Sequence, residues 1–288
     1  EEINAAYKGL VEFMLQLDRK VDLQIANSNW YTQELNIHAD FAAILREYYD
    51  AEVKAANFAD PATVGRINGW IEDKTRGKIK DMLDFIPPDA VMYLINAIYF
   101  KADWQYTFDE KATSKKPFFT PSGEKQVDMM HSKGVKMNVY YHSDFLLADL
   151  PYGNGQFSMT ILMPNTGKDI NQTINTLSLE EFTGYINQTD TVTAEVYLPK
   201  FKLEFKEELK DVLSDMGMGI AFSSAADFSG LFKELLSLAI SRVLHQSFVE
   251  VNEKGSESAA ATIVEIIRTS TGGEPTPKVI NFNRPFAF

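Results

Sequence analysis

The sequence contains no cysteine. Disulfide scaffolds, thiolate nucleophiles and cysteine-ligated zinc sites are therefore excluded together, while the redox compartment stays open. No apolar run approaches the roughly 18 residues of a membrane-spanning helix. Positive charge is in short supply: 28 Lys and Arg stand against 40 Asp and Glu, for a net charge of −12. Such a chain is a poor general ligand for nucleic acid, because phosphate binding needs clustered positive charge. Internal repeats and low-complexity tracts are absent. The catalytic signatures GxSxG, HExxH, GxxxxGKS/T and GxGxxG do not occur, nor does an EF-hand loop. The four histidines, His38, His131, His142 and His245, include no i, i+4 pair. No catalytic residue, metal or cofactor is expected.

What is present is an ordinary globular composition. The 288 residues are 45% hydrophobic and 24% charged, which excludes bulk disorder. Ala6, Leu10, Val11, Phe13, Met14 and Leu17 recur at helical spacing. A second helix is predicted over Asp40–Tyr49 with Asp40 as N-cap, and a third over Pro61–Thr75, stopping at Gly77. Val91–Phe100 is a long apolar run that reads as a strand buried on both faces. Strands are expected at Lys136–Tyr141, Phe145–Leu150, Phe157–Met163, Val192–Leu198 and Ser241–Asn252, with short helices at Ile170–Leu177 and Glu204–Met216. The fold class is α+β: helices first, then a mixed, mainly antiparallel β-rich body. Met129-Met130-His131 reads as core packing rather than soft-metal ligation. Asn171-Gln-Thr173 and Asn187-Gln-Thr189 fit the glycosylation pattern, which also arises by chance. Asn96 and His245 read as buried polar groups that must find hydrogen-bond partners.

One stretch does not suit a compact domain. Residues 253–277 run EKGSESAAATIVEIIRTSTGGEPTP, and loops of that length are usually functional or disordered. Ser256-Glu-Ser-Ala-Ala-Ala-Thr262 holds only small residues and one carboxylate. Ile263-Val-Glu-Ile-Ile267 beyond it is strongly β-favouring. On the residues alone, a loop that adds itself to a sheet as a strand and a solvated linker or bait are equally open.

The chain resembles a serpin. Glu253-Lys-Gly-Ser-Glu-Ser-Ala-Ala-Ala-Thr262 is similar to the hinge of that family's reactive-centre loop, and Phe248–Glu253 to the strand leading into it. Phe282-Asn-Arg-Pro-Phe286 is similar to the C-terminal signature, with Ala287 where a larger apolar residue is usual. Leu94–Trp104, Asn68–Ile79, Pro117-Phe118, Met129–His131, Leu198–Phe201 and Ala226–Gly230 match in the family's order, so the likeness covers essentially the whole chain.

The resemblance implies a single serpin domain over 1–288, with a large mixed β-sheet, further antiparallel sheets, a helical N-terminal part and an exposed reactive-centre loop at 253–277. It implies that the chain is partial at both ends. It matches Asn96 and His245 to the shutter, where the sheet opens, and Trp104 to the breach, where the loop first enters. Glu253, Gly255, Ser256, Glu257, Ser258, Ala259, Ala260, Ala261 and Thr262 match the hinge. The implied function is inhibition of a serine protease as a suicide substrate, the cleaved loop inserting into the sheet; the alternative is a non-inhibitory binding or carrier protein. Counting fourteen residues from Gly255 places the scissile bond at Thr269-Ser270, which suits an elastase-like enzyme. The alternative Arg268-Thr269 suits a trypsin-like one, and counting back from Pro285 points near Glu274. A monomer is expected, without a nucleic-acid partner, secreted or held at a cell surface or periplasm, with a bacterial source.

Overall fold

A computed structural model of the chain describes residues 2–234, 237–240, 242–256 and 278–288. The order is α1 (Glu2–Leu17), β1 (Val21–Thr32), α2 (Ala39–Tyr49), β2 (Ala51–Ala56), α3 (Ala62–Lys74), β3 (Met92–Asp103), β4 (Ser114–Thr120), β5 (Gly123–Tyr141), β6 (Phe145–Tyr152), β7 (Phe157–Pro164), α4 (Ile170–Asn175), α5 (Leu179–Asn187), β8 (Asp190–Pro199), β9 (Phe201–Glu208), α6 (Lys210–Leu213), β10 (Leu244–Val251), β11 (Gly255–Ser256) and β12 (Lys278–Asn281). The mixture is α+β, as the pattern predicts. The described chain divides into two compact units: residues 1–17, 23–100 and 203–249, and residues 18–22, 101–202 and 250–288.

In the first unit β2, β1 and β3 pair in that order, and β10 pairs with β9. The β1–β2 ladder is parallel over Asn27–Thr32 and Ala51–Ala56. Helix α3 covers one face. Its Ile67, Trp70 and Ile71, spaced i, i+3, i+4, pack with Trp30, Ile79, Met82, Leu83, Ile95 and Ala97. The start of α3 follows from Asp60, whose carboxylate accepts the Ala62 N–H at 3.0 Å. Its end is set by Gly77, at φ +78, whose N–H reaches the Glu72 carbonyl at 2.7 Å. That left-handed geometry is one glycine adopts without strain.

In the second unit β12, β8, β5, β6 and β7 form a sheet in that order, with β4 paired to β5. Met129, Met137, Leu147, Ile161, Val196, Leu198 and Phe282 are buried in it. Helix α5 begins at a capping box, where Ser178 Oγ accepts from the Glu181 N–H at 3.2 Å and Glu181 accepts from the Ser178 N–H at 2.9 Å. The C-terminal signature is tied down by the Asn283 carbonyl, which accepts the Phe119 N–H at 2.8 Å, and by Arg284, which donates to Thr166 Oγ1 at 2.6 Å.

Several expectations change. Helices do not come first, since β1 and β2 lie between them. Asp40 is not the N-cap of α2; His38 is, without a side-chain bond, and Asp40 in the first turn instead favours the positive end of the helix dipole. Residues 204–208 are strand, not helix: they continue β9, in which Lys202-Leu-Glu-Phe-Lys206 alternates with period two. Strand β3 is not buried on both faces: Ile95, Ala97 and Tyr99 are buried while Leu94 and Ile98 are 67% and 55% exposed.

Candidate functional site

In the second unit, β10 ends at Val251 and the chain turns back. Asn252 makes the turn: its side-chain oxygen accepts the N–H groups of Lys254 at 3.0 Å and Gly255 at 3.3 Å. Asn side chains form such turns readily because they can bond backbone two residues on. The Asn252 N–H closes it on the Gly255 carbonyl at 3.0 Å. The turn's three carbonyls are all engaged. Trp104 Nε1 donates to that of Asn252 at 2.9 Å. The Phe108 N–H donates to that of Glu253 at 2.8 Å, and the Trp104 N–H to that of Lys254 at 2.6 Å.

Past the turn, Gly255 and Ser256 form the short strand β11 between β10 and β3. It is antiparallel to both, with Ser256 opposite Val251, Gly255 opposite Asp103 and Ser256 opposite Ala102. Gly255 is required by close approach. A Cβ there would lie 2.0 Å from the Ala102 carbonyl oxygen and 2.6 Å from Asp103 Cα, and backbone atoms cannot step aside.

Two side-chain systems hold this end of the sheet. The first is aromatic. Trp104, 4% exposed, stacks on Tyr152 at 4.4 Å and meets Phe108 edge-on at 6.2 Å. The Tyr152 hydroxyl lies 2.6 Å from Ser256 Oγ. The second is ionic. Glu253, 6% exposed, accepts from Lys200 Nζ at 2.9 Å and from Thr113 Oγ1 at 2.9 Å. Burial pushes the Glu253 carboxyl up, but the bonds from Lys200, its own backbone and Thr113 outweigh it, so the carboxyl sits below its ordinary value.

The expected polar pair lies in the first unit and is built differently. Asn96 and His245 do not bond each other. Asn96 is exposed and donates from its side-chain amide to Asn27 Oδ1 at 2.9 Å. His245 is also exposed, with the Phe205 ring 6.4 Å away. The reason is the alternation of β3, which turns Asn96 to the same face as Leu94 and Ile98. Asn29 is the buried amide here, 1% exposed, with neither side-chain polar atom bonded among the described residues.

Of the predicted site residues, Trp104, Glu253, Gly255 and Ser256 come together in the second unit, whereas Asn96 and His245 belong to the first. Glu257, Ser258, Ala259, Ala260, Ala261, Thr262, Arg268, Thr269 and Ser270 lie outside the described residues. Sequence reasoning missed Tyr152, Thr113, Lys200, Asn27 and Asn29. Lys200 alone carried a signal, inside the Leu198–Phe201 match. Among the described residues no group of three or more His, Asp or Glu side chains could hold a metal.

The family description Serpin (serine protease inhibitor) matches residues 1–288. The chain belongs to the serpin family. An uncharacterised serpin-like protein of Thermococcus kodakarensis is 34% identical over 92% of this chain and 62% of its own length, so the chain spans less than two thirds of that relative. Serine protease inhibitor 42Dd of Drosophila melanogaster is 33% identical over the whole chain and 76% of its own length. Among solved serpins, the thermophilic tengpin in its native state superposes with a TM-score of 0.85 at 33% identity, over 99% of this chain and 73% of its own. Human thyroxine-binding globulin complexed with thyroxine reaches 0.86 over 99% of this chain and 75% of its own; at 24% identity that likeness concerns fold alone.

Proposed function

We propose that this serpin inhibits a serine endopeptidase as a suicide substrate, trapping it when the cleaved loop inserts as a strand between β3 and β10. The observation that carries this reading is β11. Gly255 and Ser256, the third and fourth residues of the 253–277 loop, form a strand that already pairs with both β3 and β10. In sequence the loop continues with Glu257-Ser-Ala-Ala-Ala-Thr262, which apart from the Glu257 carboxylate are small side chains that two flanking strands can accept. In the proposed reaction the protease serine attacks the carbonyl of Thr269, and the peptide nitrogen of Ser270 leaves as the amine once protonated by the catalytic histidine. The acyl-enzyme is then carried by the inserting segment before water can release it, a switch in which loop insertion releases stored strain. The enzyme favoured is elastase-like, with a trypsin-like one if the bond is Arg268-Thr269. The protein itself is no enzyme, acts as a monomer, and works outside the cell or at its surface.

A second reading is a non-inhibitory carrier, which the fold shared with thyroxine-binding globulin keeps in view. Incubation with a panel of serine proteases separates the two. The inhibitor gives a covalent complex that survives SDS with at least one elastase-like enzyme. Cleavage by every member without a complex moves the reading to the carrier.

A further inference from the structure

Gly255 and Ser256 are held by more than backbone pairing. The Tyr152 hydroxyl is 2.6 Å from Ser256 Oγ, and both residues are buried, at 2% and 7% exposure. Tyr152 is fixed without help from the loop. It ends β6 opposite Phe157 on β7, forms a backbone bridge with Trp104, and stacks on that indole with planes 10° apart. Burial holds its phenol well above the ordinary value, with the Ser256 bond pulling more weakly the other way. The hydroxyl therefore keeps its proton at neutral pH. Ser256 sits in β11, paired with Val251 on β10 and with Ala102 on β3.

We propose that Tyr152 is a positioning residue for the loop, its bond to Ser256 holding Gly255 and Ser256 as a seed strand that sets the register and rate of insertion. This rests on the inhibitory reading. The physical argument is one of nucleation. Starting a strand between two others fixes backbone and closes a loop before any new ladder bond forms. A seed already in register has met that cost, so each later residue adds its pair to an existing edge. A one-residue slip would put every inserted side chain on the wrong face. One buried hydroxyl bond at the first residue able to slip opposes that error.

The test uses the full chain and two measurements. The first is amide exchange at residues 254–256 in the uncleaved protein. Tyr152→Phe and Ser256→Ala should each speed exchange about three- to tenfold, the change one net hydrogen bond supports. The double variant should go no further than either single one, and Ser256→Thr, which keeps the hydroxyl, should restore slow exchange. A merely structural loss at Tyr152 would instead add to the loss at Ser256. The second measurement nicks the loop near Thr269 with any protease and follows the rate at which residues 257–268 gain exchange protection. That rate should fall several-fold in both single variants. Unchanged exchange in Tyr152→Phe, additive effects, or an unchanged insertion rate would each overturn the proposal. The inhibitory reading fails on a different result: protection gained after nicking, with no protease ever trapped.

Discussion

Strand β3 runs through two neighbourhoods that obey different rules. At Ala102–Trp104 nearly every group is spoken for. The Ala102 carbonyl lies where a Cβ on Gly255 would sit, the Trp104 N–H bonds Lys254, and the indole bonds Asn252. Around Asn96 the same strand turns Leu94, Asn96 and Ile98 to water, and the Asn96 amide has settled on the half-buried amide of Asn27. A site specified by backbone proximity and buried charge has few alternatives, so substitutions there should be costly. A site specified by one exposed polar contact has many, so substitutions should be cheap.

The largest expected effect breaks the first neighbourhood at its tightest point. Gly255→Val puts a branched side chain into the Ala102 carbonyl. Either β11 leaves the sheet or β3 moves, and overpacking of this kind costs about 3 kcal/mol. The measurement is the urea midpoint at unchanged m-value. A midpoint within error of the parent would mean that Gly255 is not held against β3 in solution.

Next in size is the charge pair. Lys200→Met leaves the Glu253 carboxylate buried with Thr113 and its own backbone as partners. Breaking a fully buried pair costs about 3–5 kcal/mol, and because Lys200 is 45% exposed a smaller loss of about 2 kcal/mol is expected. The pH dependence has a definite sign. Glu253 in the folded chain sits below its ordinary value of 4.5, so its contribution is fully present above that value and fades as pH falls through the lower folded value. Subtracting melts of Glu253→Gln from those of the parent between pH 6 and pH 3 isolates it from other carboxylates. A difference that grows on acidification contradicts the assignment.

The same contrast explains what could be read from the sequence. Helices α1 and α3 were legible because their apolar spacing is local, and the Asp60 and Gly77 boundaries because cap chemistry is local. Gly255, which the close approach of Ala102 requires, stood out through its neighbours in a recognisable motif. Strands β1 and β2 went unnamed because Asn27-Ser-Asn29 breaks the apolar alternation. β9 was misread because Lys, Glu and Phe serve a helix as well as a strand, and its partner β10 lies about 40 residues away. Tyr152 carries no local mark of its role. It ends an ordinary apolar strand, and only the fold brings Ser256, 104 residues on, against its hydroxyl. Asn96 was rightly singled out as polar within an apolar run, but its partner depended on which face the strand turned to water.

The smallest expected effect lies there. Asn96→Ala removes one amide bond, from the exposed Asn96 to the half-buried Asn27 at 2.9 Å. Water can replace both halves of that bond, so the loss should stay within about 0.5 kcal/mol, as for other surface substitutions. Asn27 keeps a second tie, donating to the Tyr49 carbonyl, and is not stranded when Asn96 goes. His245→Gln should be as mild, since Phe205 is its ring neighbour and that contact is a tilted one at 6.4 Å. Combining the two should give simple additivity, because the residues do not touch each other's partners. A loss above about 1.5 kcal/mol for Asn96→Ala, or strong coupling to His245→Gln, would require a buried and connected polar site. The contrast between the two ends of β3 would then collapse, and Asn96 and His245 would return to being one unit.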